Sequence, residues 1–264
     1  TRDGQELSAG NRAMDVRDGC RAFYRSVQSV IAPTLKYSQA IYESVLTSYV
    51  GAGKDWLDLG CGHQLLPPWR HEQEKRLVAR ARTLVGLDYD FDALCQHRTI
   101  VGRVRGDVSR LPFKGDAFDL ISANMVFEHL RRPEAQLAEI FRALRPGGKL
   151  IFHTPNKYGY GALIGRLIPG GLKVRLAWLL QGRVEEDVYP TFYRINSSSA
   201  IRHVAERVGF QVEKIKLIVS SPNFVMIPPL VVFELLLLRL LMTRSMRRLR
   251  TNIIVVLEKP LDGR

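Results

Sequence analysis

Between residues 51 and 156, five short apolar runs alternate with stretches of helical periodicity, and nothing else in the chain narrows its possible folds so far. The runs are Asp55–Gly60, Thr83–Asp88, Gly102–Val108, Phe118–Ala123 and Lys149–Thr154, each about the length of one strand. Pro68–Arg82, between the first two, is charged and helical. Pro133–Leu144, between the last two, places Leu137, Ile140, Phe141 and Leu144 at i, i+3, i+4 and i+7. It runs into Arg145-Pro146-Gly147-Gly148, which predicts a helix breaker followed by a tight turn. Strands alternating with helices pair in parallel, lie between helical layers and bind ligands beyond the strand C-termini.

The flanks are read the same way. Residues 11–50 predict helices broken near Pro33. Leu172–Leu180 is an apolar helix candidate. Ser197–Val208 reads as a helix with a serine cap and Gly209 as its stop. Phe210–Val219 and Asn252–Leu257 read as strands, separated by the 32-residue stretch Ser220–Thr251. With 264 residues, 46% hydrophobic and 25% charged, the chain can bury one sizeable core, which sets disorder, collagen and coiled coil aside.

The chemistry concentrates at the ends of the runs. In Asp55-Trp-Leu-Asp-Leu-Gly-Cys-Gly-His63, a strand ends at Asp58 and turns through Gly60 and Gly62, where a missing Cβ lets backbone approach a ligand. Nicotinamide enzymes also place glycines after a first strand. Here the third glycine of that fingerprint is replaced by Leu65, and the next strand-end acid, Asp88, lies 30 residues after Asp58, where the dinucleotide spacing is roughly 20. Both departures argue against NAD. Three further blocks follow: Arg105-Gly-Asp107-Val-Ser-Arg-Leu-Pro-Phe113, Ala117-Phe-Asp-Leu-Ile-Ser-Ala-Asn-Met-Val-Phe-Glu-His-Leu130 and Leu144-Arg-Pro-Gly-Gly-Lys-Leu-Ile-Phe-His-Thr-Pro-Asn156.

In this order and spacing the blocks resemble the class I S-adenosylmethionine-dependent methyltransferases, most of all the small-molecule branch that includes the quinone-biosynthesis enzymes. The likeness covers residues 55–156 closely and 192–260 more loosely. It implies an α/β, Rossmann-like seven-stranded mixed sheet with helices on both faces and an antiparallel last strand, Asn252–Leu257. It also implies one methyltransferase domain over 1–264: helices in 1–50, the cofactor core in 51–156, a substrate cap in 157–195 and the rest of the sheet in 196–264. S-adenosyl-L-methionine would be the cofactor. Asp58, Gly60, Cys61 and Gly62 would line its methionine moiety, with Asp58 near the α-amino group. Asp88 would hold the ribose, Tyr89 would flank the adenine, and Asp107 with the Val108 N–H would reach the adenine edge. Asn124 would stand near the methyl donor.

Methyl transfer from a sulfonium needs orientation and exclusion of water, and a hydroxyl nucleophile also needs a base. His129 is the best-placed histidine, although a Glu-His pair here can also cap or pack the next helix. His63, His153 and Tyr193 are weaker candidates, and packing is the expected role of Cys61 beside the turn. Some quinone O-methyltransferases hold a divalent metal with an acid three residues before this pair. Position 125 is Met, so no metal is expected.

The cap residues Leu163, Ile164, Leu167, Ile168, Trp178, Leu179, Leu180, Tyr189, Phe192 and Tyr193 suit a lipophilic or aromatic small-molecule acceptor. Three cysteines without a CxxC pair and an opening Thr-Arg-Asp-Gly without an apolar leader lead to a cytoplasmic expectation. Leu230–Met242 is an apolar helix too short to span a bilayer, followed by Arg244, Arg247, Arg248 and Arg250. The region 230–250 therefore has two open readings: docking on an anionic membrane surface, or packing on the core or in a homodimer. The net charge of +13, of which residues 161–264 carry +8, raises RNA methylation as an alternative. The fourth strand ends in Ser122-Ala-Asn-Met, not the Asn/Asp-Pro-Pro-aromatic sequence of many nucleic-acid amino methyltransferases, and nucleic acid is not the expected partner. A non-catalytic methyltransferase-like binding protein is the third reading.

Overall fold

The computed structural model describes residues 2–167 and 190–261, with side chains from residue 17 to 163 and 190 to 261. The candidate helix Leu172–Leu180 and the cap residues Ile168, Trp178, Leu179, Leu180 and Tyr189 lie outside the described residues.

Seven strands form one sheet: β1 (Asp55–Leu59), β2 (Thr83–Asp88), β3 (Gly102–Arg105), β4 (Phe118–Asn124), β5 (Leu144–Pro155), β6 (Gln211–Ile218) and β7 (Asn252–Glu258). Their order is β3-β2-β1-β4-β5-β7-β6. β1 to β5 pair in parallel, and β7 is inserted antiparallel to both β5 and β6, the expected topology. Strand order reverses between β1 and β4, so the cleft beyond their C-terminal ends is where this class of sheet takes a ligand.

Alternation along the central strands divides the core in two. Leu57, Ile121, Phe152 and Val255 face one layer, and their chain neighbours Trp56, Leu120, Ile151 and Ile254 face the other. On the first side lie α5 (Pro133–Ala143) and α7 (Ser198–Val208), and on the second α2 (Ser38–Tyr49), α3 (His71–Val78) and α4 (Phe91–Cys95). α7 follows the cap signals closely: Ser197 Oγ accepts from the Ala200 N–H, and Gly209 ends the helix at φ +103°.

Arg145-Pro146-Gly147-Gly148 is not a free turn. β5 already begins at Leu144, opposite Phe118, and the next register pair is Leu120 with Lys149. The residues between bulge out and are held from outside, where the Gly147 N–H donates to the Lys259 carbonyl and Arg145 pairs with Asp55 and Asp119.

Among the described residues the remaining α-helices are α1 (Arg2–Ile31), α6 (Tyr160–Leu167) and α8 (Pro228–Leu241), the last carried by the segment between β6 and β7. Of the two readings of this apolar helix, packing on the core holds for one of its faces. Val231, Leu235, Leu238 and Leu241 pack with Ala32 and Leu35 at the end of α1. Glu234, an interruption of the apolar run in sequence, is buried and accepts from the Asn223 and Phe224 N–H groups and the Tyr160 hydroxyl. A carboxylate with that many donors holds the loop ahead of its own helix.

Candidate active site

Every strand end named from sequence opens on the same edge. β1 delivers Asp58 and then the Gly60 turn, whose N–H donates to the Leu87 carbonyl at 2.7 Å. Gly60 has φ +65°, and a Cβ built on it would stand 2.4 Å from a methyl of Val126. The turn is therefore tight in both conformation and space. The Gly62 N–H donates to Asp88 at 2.7 Å, and the other oxygen of Asp88 accepts from the Asp90 N–H at 2.9 Å. Asp88 thus ties the glycine turn of β1 to the end of β2.

Two cavities share Gly60. The smaller, about 210 Å³, is lined by Tyr42, Leu46, Asp58, Gly60, Cys61, Gly62 and Asn124 among others. The larger, about 540 Å³, is lined by Asp88, Tyr89, Asp107 and Val108 together with Met125, Val126, His129, Pro190 and Phe192. The residues expected at the methionine end thus meet in one cavity, and those expected at ribose and adenine in the other. Tyr89 is exposed, with Arg105 over its ring, and Asp107 accepts from the Ser109 N–H.

Asp58 sits at the floor of the smaller cavity. The Trp56 indole N–H donates to Ser122 Oγ at 2.7 Å, and the Ser122 hydroxyl donates to Asp58. Burial, with the charges of Asp88 and Glu74 adding to it, pushes the Asp58 carboxyl up to about 7. Cys61 is buried, and its sulfur would meet a Cβ added at Gly86. Burial raises the thiol well above its ordinary value, consistent with packing under the turn.

His153 is corrected. It lies not at the ligand edge but fully buried behind it, stacked on Tyr42, with its pKa pushed down to about 3 by burial. Its Nε2 accepts from the Asn252 amide at 2.8 Å, so Nδ1 carries the hydrogen and donates to Asn124 Oδ1 at 2.9 Å. The Asn124 amide in turn donates to Gln39. His63 borders the smaller cavity, while Tyr193 adopts φ +52° with its N–H donating to the Glu128 carbonyl.

His129 stands in the larger cavity on a short 3-10 turn, Phe127–His129. Its Nδ1 lies 2.8 Å from the Pro190 carbonyl, an acceptor only, so Nδ1 donates there. In the neutral ring Nε2 is then the basic nitrogen. Glu128, beside it, has one carboxylate oxygen 3.9 Å from His129 Nε2. Its buried carboxylate accepts from the Thr154 hydroxyl, and its carbonyl accepts from the Phe192 N–H. That contact brings residues 190–193 to the cavity wall.

α2 is the contribution that sequence reasoning missed. Its Tyr42 and Leu46 line the smaller cavity, and the buried Tyr42 hydroxyl has no hydrogen-bond partner among the described residues. Burial, with the charge of Asp58 adding to it, pushes the phenol well up, so it remains a donor. Helical spacing alone marks this face as core. No signal in the sequence separates a tyrosine that packs from one that lines a cavity.

A methyltransferase-domain family model matches residues 37–215. Among similar proteins, one named a probable S-adenosylmethionine-dependent methyltransferase, of Mycolicibacterium smegmatis, is 34% identical over 110 residues, covering 40% of each chain. A fatty-acid O-methyltransferase of the same species is 33% identical over 123 residues, 44% of this chain and 43% of that one. A demethylmenaquinone methyltransferase of a Mycobacterium species is 30% identical over 118 residues, 43% of this chain and 48% of that one. The chain thus spans less than half the length of these relatives. A solved S-adenosylmethionine-dependent methyltransferase from Mesorhizobium loti superposes with a TM-score of 0.51 over 82% of this chain and 95% of that one, at 21% identity, a likeness of fold. The chain belongs to the methyltransferase-domain family and carries its class I, S-adenosylmethionine-dependent fold.

The site suits that cofactor. The turn is open at Gly62, where a Cβ would meet nothing within 4 Å, and the unpaired Tyr42 donor is buried in the wall of the same cavity as the strand-end acid Asp58. A buried donor left unpaired costs about 1–3 kcal/mol, an amount a bound carboxylate would recover.

Proposed function

We propose that this protein transfers a methyl group from S-adenosylmethionine to a small lipophilic acceptor, with His129 as general base. The observation that carries the reading is His129 held by Pro190, with Nε2 basic, lining the same cavity as Asp88, Tyr89 and Asp107. When bound, the cofactor supplies an electrophilic methyl group on a positively charged sulfur. Asp58 and Tyr42 bind the ammonium and carboxylate of its methionine end. Asp88 holds the ribose hydroxyls, and Tyr89 with Asp107 and the Val108 N–H holds the adenine. Asn124, fixed by His153, stands at the methionine side, near the methyl donor. Met125, Val126 and Phe192 exclude water from the acceptor side, and His129 Nε2 accepts the proton of an acceptor hydroxyl. Lipophilic acceptors also agree with relatives named for fatty acids and demethylmenaquinone.

The test is transfer of labelled methyl to a fatty acid and to a demethylated quinone. Label extractable into organic solvent is expected. Label in RNA, or donor binding without any transfer, would reject the acceptor class.

Asp88→Ala removes both the ribose ligand and the tie to Gly62. S-adenosylhomocysteine affinity, measured by calorimetry, is expected to weaken by about 10- to 150-fold, the equivalent of ~1.5–3 kcal/mol for hydrogen bonds to a charged group. Unchanged affinity would remove Asp88 from the site.

Asp58 makes binding pH-dependent. Its folded value of about 7 lies above the ordinary carboxylate range. Its contribution to stability of the unliganded fold is therefore present below about pH 4 and lost as pH rises through 7. A bound ammonium reverses the preference and demands the carboxylate. S-adenosylhomocysteine should bind about ten-fold more weakly at pH 6 than at pH 8. Asp58→Asn should bind weakly at both values with little difference between them; a persisting ten-fold step would assign the titration elsewhere.

A further inference from the structure

Helix α8 is apolar on both sides. Opposite the face packed under α1, Leu230, Phe233, Leu236, Leu237 and Leu240 are exposed, Phe233 to 71%. At 100° per residue they fill one outward sector about 120° wide, where a water-facing helix carries charged side chains. This sector has none. Arg239 lies to its side with its guanidinium on the Ile31 carbonyl, and the Glu234 carboxylate is turned inward onto the Asn223 and Phe224 N–H groups.

The chain that follows is entirely basic: no acid occurs from Leu235 to Leu257. Arg250 is committed to the carbonyls of Leu241, Leu217 and Met242. Arg244, Arg247 and Arg248 are exposed and form no ion pair among the described residues.

We propose that α8 and these three arginines dock the protein on an anionic lipid bilayer. Charge complementarity selects this occupant. A second copy of the chain would bring the same surplus of +13 and no acid on the same segment, whereas anionic headgroups supply the missing sign. With 14 residues the helix is about 21 Å long, short of a ~30 Å hydrocarbon core, so it lies in the interface and does not span it. No described helix is long and apolar enough to cross a membrane. The register fixes where the contact stands. β6 ends at Ile218 opposite Asn252, and Asn252 pairs with Pro155 at the C-terminal end of β5. α8 is therefore inserted at the same sheet edge as the two cavities, so a lipid-borne acceptor would arrive on the side where the site opens. That last step rests on the lipophilic-acceptor reading; the docking itself does not.

The test is co-sedimentation of the full chain with phosphatidylcholine vesicles, with and without phosphatidylglycerol, at low and high salt. Binding is expected to the anionic vesicles and to fall steeply with salt. Substituting Arg244→Ser, Arg247→Ser and Arg248→Ser together should weaken it by on the order of 100-fold, at about five-fold per basic residue. Phe233→Ser with Leu240→Ser, both at exposed positions, should abolish it. S-adenosylhomocysteine affinity should stay unchanged in both variants, which shows that they are folded. No sedimentation with either vesicle type, or wild-type binding by the Phe233/Leu240 variant, overturns the proposal. A dimer in analytical ultracentrifugation that this variant dissolves, without vesicle binding, assigns the face to a second copy. Vesicle binding without methylation of a lipophilic acceptor would count against the acceptor class alone.

Discussion

Gly60→Ala is expected to weaken S-adenosylhomocysteine binding by at least roughly 30-fold, about 2 kcal/mol, with a lowered melting temperature. Two costs combine at this position. A non-glycine residue at φ +65° is strained by about 1–2 kcal/mol, and overpacking against Val126 adds about 1–3 kcal/mol. Val126 lines the larger cavity, so its displacement would narrow that cavity. Pairing Gly60→Ala with Val126→Ala separates the two costs, because it relieves the contact and leaves the backbone strain. Recovery of most of the affinity in the double variant would show that the contact dominates. Wild-type binding by the single variant would mean that the turn does not meet the donor.

His129→Ala should lower kcat by about 10²- to 10⁴-fold, the range for loss of a positioned base, and leave donor affinity within about two-fold. The pH–rate limb belonging to the base should vanish with it. His129→Gln, which can still donate to Pro190, distinguishes base from anchor. If glutamine restores turnover, the contact with Pro190 is what matters and the base assignment is wrong. Loss of donor binding in either variant would place His129 in the cofactor half.

Much of this site was legible because its chemistry is local in sequence. A strand that must be buried ends in an acid, and the turn after it must let backbone approach a ligand, so Asp58, Gly60 and Gly62 appear as one short string. The same holds for Asp88 and Asp107 at the next two strand ends and for the Ser197 cap of α7. The misreadings share a cause. His153 reads as an edge residue by its place in β5, but β7 pairs alongside and Asn252 covers it, a contact across 99 residues. Tyr42 carries no sign of its cavity, because helical periodicity records only which face is buried.

Local pattern and strand-end chemistry, written in the sequence, thus determined the parallel strands and the three acids at their ends, since burial on both faces and turn geometry constrain neighbouring residues directly; the antiparallel last strand followed from the family resemblance. Only the tertiary structure decided that α2 lines the smaller cavity, that Pro190 sets the His129 tautomer, and that α8 packs one apolar face under α1 and leaves the other outward. These depend on contacts between segments far apart in the chain, where the same leucine can face a core, a partner or a bilayer without any change in the residues beside it.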